Sequence, residues 1–287
     1  MNFKEDYARY LQRVEEELAR LCRACPSPEP LRSAMEYSLL AGGKRIRPVM
    51  LLAACEAFGG SVEEALPFAC ALEMIHTYSL IHDDMPEMDD DDLRRGKPTN
   101  HKVYGQGMAL LAGDGLLSWA FETMLSGANA GENHLHAMRA LARAAGVSGM
   151  VSGQCRDLEQ KPENGEEELY RLCAEKTGAL LSGAAEAGAA IAGADEETRL
   201  RMRRYGAALG VSFQIKDDLL DIEGDAALLG KATHMDEQRG KMTYPHLLGL
   251  EHAKRVMEEQ TELALELLGD DAPFLTELTR RLLKRDH

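Results

Sequence analysis

Alternating runs of β-branched and polar residues, the mark of a half-buried strand, are missing from this 287-residue chain. Ala, Leu, Glu, Met and Arg dominate instead, and these residues favour helix. The expectation is helix packed on helix. With 45% hydrophobic residues the chain can bury a sizeable core.

Apolar spacing predicts helices over residues 3–23 and 31–40, and a third opening at Arg47-Pro48. Ser61 and Glu64 read as a capping box for a fourth that runs to Asp84, where Pro86 stops it. Residues 25–30, Gly42-Gly43 and Gly59-Gly60 separate these elements. Further helices are predicted over 108–125, 134–158, 166–191, 196–222, 251–268 and 273–284, with 224–245 a polar loop or short-helix region. Gly178, Gly183, Gly188 and Gly193 recur every five residues, which is no helical face period and suggests a tightly packed small-residue helix. The fold class expected is all-α, one domain over residues 1–287 with roughly ten helices.

The formal charge of -15 argues against nonspecific nucleic-acid binding. No run of 18 apolar residues is present, so no membrane span is expected. The N-terminus is charged throughout, unlike a secretory signal. Of six cysteines only Cys22 and Cys25 form a CxxC pair, with no second pair or HxxxH to complete a zinc site. Reduced thiols in the cytoplasm are the expectation.

Against this background "HDDMPEMDDDDLRR", residues 82–95, is anomalous. Six aspartates and Glu87 crowd the end of an apolar helix, and like charges so close repel unless partnered. A second cluster, "FQIKDDLLDIEGD", puts Asp217 and Asp221 on one helix face with Asp218 beside them. Apolar neighbours make a merely solvated face a poor account of it. Hard divalent cations such as Mg²⁺ take carboxylate oxygens together with substrate phosphates, so two such clusters could hold a metal-bound phosphate between them. A loop starting at Asp89 or Asp90 lacks the Gly and closing Glu of an EF-hand.

Cations accompany the acids. "GGKRIRP", residues 42–48, sets Lys44, Arg45 and Arg47 at a helix N-terminus, where anions are favoured. "EKTG" places Lys176 and Thr177 inside an apolar helix. His76 stands two helical turns before Asp83. "GKAT", residues 230–233, fails as a phosphate loop because the glycine spacing is wrong and Ala232 replaces the metal-binding hydroxyl.

In this order the motifs resemble the trans-isoprenyl diphosphate synthases, from about Tyr37 to Leu250, and the look-alikes are bacterial farnesyl diphosphate synthases. The matching segments are "GGKRIRP", "DDMPEMD" followed by "RR", "EKTG", "FQIKDDLLD" and "GK…GKMTYP". The resemblance implies an isoprenoid-synthase bundle around a central cavity, Mg²⁺ (or Mn²⁺) as cofactor, a homodimer, and isoprenoid diphosphates as substrates. It implies condensation of isopentenyl diphosphate with dimethylallyl and geranyl diphosphate to give the C15 product, farnesyl diphosphate.

On the same footing, Asp83, Asp84 and Asp89 match the first metal-binding motif, and Asp217, Asp218 and Asp221 the second. Glu87 competes with Asp89 for the third place of the first. Lys44, Arg47, His76 and Arg95 correspond to holders of isopentenyl diphosphate. Arg94, Lys176, Thr177 and Lys231 correspond to allylic diphosphate ligands, with Gln214 and Lys241 as further contacts. Tyr78, with Ser79 beside it, lies five residues before Asp83 and is expected to floor the product pocket at C15. The alternatives are a C20 geranylgeranyl synthase, a terpene cyclase (disfavoured by the second set of cations), and a non-catalytic partner subunit or cation binder of the same fold.

Overall fold

A computed structural model describes residues 2–127, 131–160, 165–223 and 242–284. It is a helical bundle, as the composition requires. The first four helices are α1 (Phe3–Ala24), α2 (Leu31–Leu39), α3 (Ile46–Ala57) and α4 (Val62–Asp83). Ser61 precedes α4 in extended conformation, but its side chain makes no capping hydrogen bond, so the expected capping box does not form.

The connection after α4 holds a feature the helical pattern did not suggest. Strands β1 (Leu93–Arg94) and β2 (Lys97–Pro98) pair antiparallel. Arg95 and Gly96 both have φ > 0, as a tight type I′ hairpin turn needs. Then follow α5 (Asn100–Tyr104) and the long α6 (Gln106–Gly127).

The helix expected over 134–158 is two: α7 (Glu132–Ala145) and α8 (Met150–Leu158), parted at Gly146 and Gly149. Residues 166–191 run as α9 (Glu166–Cys173), a π-helical turn (Ala174–Gly178) and α10 (Ala179–Ile191). The long α11 spans Glu196–Glu223. α12 (Tyr244–Leu248), α13 (Leu250–Leu268) and α14 (Pro273–Lys284) close the described chain.

The five-residue glycine spacing has a packing cause. Every residue of α10 from Leu180 to Ile191 is buried. Five residues turn a helix by about 140° beyond a full circle, so successive glycines face different neighbours. A side chain at Gly178 would meet α11 at Ala207, one at Gly183 would meet Ala144 of α7, and one at Gly188 would meet Ala54 of α3. Three helices therefore approach α10 closely from three sides. A second, smaller apolar cluster built on Leu172, Val211, Ile215, Leu219 and Tyr244 braces the C-terminal half of α11.

Candidate active site

The first aspartate cluster wraps the end of α4. The Asp89 N–H donates to the Asp83 carbonyl at 2.9 Å, Asp90 to Met85 at 3.0 Å and Asp91 to Asp84 at 3.2 Å. These bonds satisfy the open carbonyls at the helix C-terminus. Asp90 takes a left-handed φ to make the return, and Glu87 is left exposed. Asp89, not Glu87, is thus brought beside Asp83. Asp92 is exposed and pairs with Lys102 at 2.7 Å.

Carboxylates at a helix C-terminus oppose the helix dipole, so cations must compensate. Arg94 donates twice to Asp84, once at 2.9 Å from Nε, and stands 3.5 Å from Asp91. Asp84 is buried, which pushes its carboxyl up; Arg94 pulls it down, and Asp91 and Asp83 add to the rise. Gln154 of α8 donates to Asp83.

Lys176 sits in the π-helical turn, a widened turn of the kind common at functional sites. Its Nζ lies 2.6 Å from Asp157 of α8 and 3.9 Å from Asp83. Any side chain at Gly153 would overlap the Lys176 main chain, so α8 meets this turn only because residue 153 is glycine. The next residue, Thr177, donates to Gln214 Oε1 at 2.7 Å, and Gln214 Nε2 donates to Asp218 at 2.9 Å. This relay joins the π turn to the second aspartate cluster. Asp218 and Asp221 are buried, and Asp217 is partly so.

The loop before α3 carries the other cations. Gly42, Gly43 and Arg45 all have φ > 0. Arg95 donates to the Gly42 carbonyl, and its guanidinium lies 2.8 Å from where a Gly43 Cβ would stand. The structure corrects the reading of Arg45 as an anion-facing cation. Its side chain is fully buried and bonds Glu15, Glu73 and the Leu39 carbonyl, each at 2.7 Å.

Lys44, Arg47, His76 and Arg95 line a cavity of about 440 Å³, whose wall also includes Arg45 with its partner Glu73. Arg47 faces His76 Nε2 at 3.3 Å, so that nitrogen accepts and the ring is neutral. Burial, then the Arg47 charge, hold the His76 pKa well below its ordinary value. Arg47 Nε is buried without a hydrogen-bond partner. Burial lowers the Arg47 pKa, while Glu73 and Asp217 act against that drop.

Tyr78 is buried, but not in register with Asp83. Its ring meets His82 edge-on at 5.7 Å, and His82 contacts the Leu110 carbonyl of α6 at 3.1 Å. Four residues keep a helix face and five leave it, which places Tyr78 on the side of α4 turned to α6. Ser79 bonds its own helix at the His76 carbonyl, 2.8 Å away. Lys231 and Lys241 lie outside the described residues.

Sequence reasoning missed Gln154, Asp157 and Glu73. Gln154 and Asp157 are three apart and share a helix face, and Glu73 is a lone acid inside an apolar run. Each was a legible sign of a buried polar contact.

Among the described residues no three His, Cys, Asp or Glu side chains form a ready metal cage. The carboxylates are grouped by helix: Asp83 and Asp84 end α4, and Asp217 and Asp221 lie one turn apart on α11. That donor set fits Mg²⁺, which takes one or two carboxylates plus substrate phosphates rather than an all-protein cage. No helix among the described residues is long and apolar enough to cross a membrane.

Comparison with known proteins agrees with this geometry. The family model described as polyprenyl synthetase matches residues 28–278. The chain is 46% identical over 282 residues to geranylgeranyl pyrophosphate synthase 12, chloroplastic, of Arabidopsis thaliana, covering 94% of this chain and 78% of that one. It is 46% identical over 283 residues to the farnesyl diphosphate synthase of Geobacillus stearothermophilus, covering 96% and 95%. Among solved structures, the geranylgeranyl pyrophosphate synthetase of Pyrococcus horikoshii superposes with a TM-score of 0.88 at 31% identity, covering 99% of this chain and 100% of that one. The chain belongs to the polyprenyl synthetase family of prenyltransferases.

Proposed function

We propose that this chain, read as one polyprenyl synthase domain, condenses isopentenyl diphosphate with dimethylallyl and geranyl diphosphate to give farnesyl diphosphate and diphosphate. The observation that carries the reading is that one π-helical turn reaches both carboxylate groups: Lys176 lies 3.9 Å from Asp83, and Thr177 connects to Asp218 through Gln214.

In this reading Arg94, Lys176, Thr177 and Gln214 hold the allylic diphosphate. Lys44, Arg47, His76 and Arg95 hold that of isopentenyl diphosphate, and the unpartnered Arg47 Nε supplies a donor there. Asp83, Asp84, Asp89, Asp217 and Asp221 would hold Mg²⁺ (or Mn²⁺), with Asp218 steadied by Gln214. The turn that returns Asp89 to Asp83 favours Asp89 over Glu87. When bound, divalent ions offset the charge of the diphosphate and make it a better leaving group.

The allylic C–O bond breaks with its electron pair leaving on diphosphate. The double bond of isopentenyl diphosphate forms the new C–C bond, and a proton lost from the adduct goes to the departing diphosphate. The chain's residues align the two diphosphates and exclude water from the cation. Buried Tyr78, beside Ser79, supports a short product by flooring the space along α4.

A second reading, synthesis of the C20 geranylgeranyl product, is favoured by the plant synthase matching at 46% identity. A second copy of the chain is the proposed partner, because α6 leaves Leu110, Leu111 and Leu125 exposed. All six cysteines are free thiols, which suits the cytoplasm.

Product analysis by mass spectrometry tests the whole. With Mg²⁺ and isopentenyl diphosphate, dimethylallyl and geranyl diphosphates should yield C15, and farnesyl diphosphate should stay largely unextended. A C20 product selects the second reading, and no product rejects both.

A further inference from the structure

The backbone of the loop over residues 42–45 is costly to hold. Two glycines and Arg45 have positive φ, and for a side-chain-bearing residue that conformation persists only where the surroundings impose it. Besides the Arg45 bond to the Leu39 carbonyl, four contacts from other elements impose it here. Arg95 donates to the Gly42 carbonyl, and Glu73 of α4 bonds Arg45. The other two come from α1: the Tyr7 hydroxyl donates to the Lys44 carbonyl, and Glu15 bonds Arg45 at 2.7 Å. The family match begins only at residue 28, so α1 stands outside it.

We propose that Tyr7 and Glu15 are positioning residues that clamp the loop, so that Lys44 and Arg47 meet a diphosphate in one fixed geometry. The proposal rests on the reading of the 440 Å³ cavity as the isopentenyl diphosphate site.

The clamp is itself anchored. Phe274 of α14 stacks on Phe3 at 4.9 Å and meets Tyr10 edge-on at 5.3 Å, with the Tyr7 ring 6.5 Å away. Burial pushes the Tyr7 hydroxyl up to about 12, so it keeps its proton and remains a donor at neutral pH. The Tyr7 oxygen acts on the main chain of Lys44, one residue from the Arg45 turn and three from Arg47. A shift there moves both cations together, while Lys176 and Arg94 are held by other elements.

Tyr7→Phe keeps the ring and removes only the donor. Its KM for isopentenyl diphosphate should rise about three- to tenfold, the effect of losing one hydrogen bond. Its allylic KM and kcat should stay within about twofold. Glu15→Ala should move the same KM, and Glu15→Gln should recover much of it. Tyr10→Phe is the control on the same helix: it loses a bond to Glu56, not to the loop, and should leave both KM values in place.

An unchanged KM in Tyr7→Phe, or equal rises for both substrates, overturns the clamp. Calorimetric titration with isopentenyl diphosphate in EDTA separates the two readings. Binding that weakens severalfold in Tyr7→Phe upholds the clamp even if the wild-type chain makes no prenyl product. Equal affinity in the two, or no binding by the wild type, removes it.

Discussion

Lys176 Nζ stands 2.6 Å from Asp157 and 3.9 Å from Asp83, so one ammonium links α8 to the end of α4. The π-helical turn makes this possible by widening the helix where Lys176 emerges. Two acids on one cation set its position before any substrate arrives.

Asp157→Asn should therefore act through Lys176. A hydrogen bond between charged groups contributes about 1.5–3 kcal/mol, so kcat/KM for the allylic substrate should fall about 10- to 100-fold. The KM for isopentenyl diphosphate should hold. Steady-state kinetics with each substrate varied in turn reads the difference, and equal losses for both would detach Asp157 from this role.

Chelation should abolish turnover, and added Mg²⁺ should restore it. Asp83→Asn and Asp217→Asn should each lower kcat on the order of 100- to 1000-fold at saturating Mg²⁺. Partial recovery at higher Mg²⁺ is expected because the neighbouring carboxylates remain. Metal-dependent radiolabel incorporation measures both.

Tyr78→Ala should extend the product beyond C15. Deleting a buried aromatic ring costs about 3–5 kcal/mol, so the variant should also melt earlier than the wild type. Tyr78→Phe keeps the volume and should keep the product length. Mass spectrometry of the products decides it: an unchanged C15 product from Tyr78→Ala takes Tyr78 out of length control.

His76 makes the fold sensitive to acid. Its folded pKa lies well below the ordinary 6.5, so the folded ring stays neutral where the unfolded one binds a proton. The contribution is complete above about pH 6.5 and is lost as pH falls below it, by at most about 1.4 kcal/mol per pH unit. His76→Gln should narrow the drop in Tm between pH 7.5 and 5.5. A drop of the wild-type size in that variant would place the acid sensitivity elsewhere.

Size-exclusion chromatography with light scattering should show a dimer. Leu111→Lys, on the exposed side of α6, should shift it toward monomer.

Much of the molecule was legible in advance because its signals are local. Helix formers without strand alternation specify an all-α chain, and the order of the acidic and basic motifs identifies the chemistry. Asp217 and Asp221 could be placed together because four residues keep a helix face. The features that were missed depend on pairs distant in sequence. Arg45 reads as one more free cation until its buried bonds to Glu15 and Glu73 show that its charge is already paired. Which helix Tyr78 turns toward is known only from its neighbour His82, which contacts the Leu110 carbonyl of α6. The approach of α8 to the π turn at Lys176 depends on Gly153, a contact across more than twenty residues. Spacing along one helix fixes relative direction, so sequence alone determined the helical class, most helix positions and the chemical inventory. Which cation meets which acid depends on how the helices pack, and that only the tertiary structure decided.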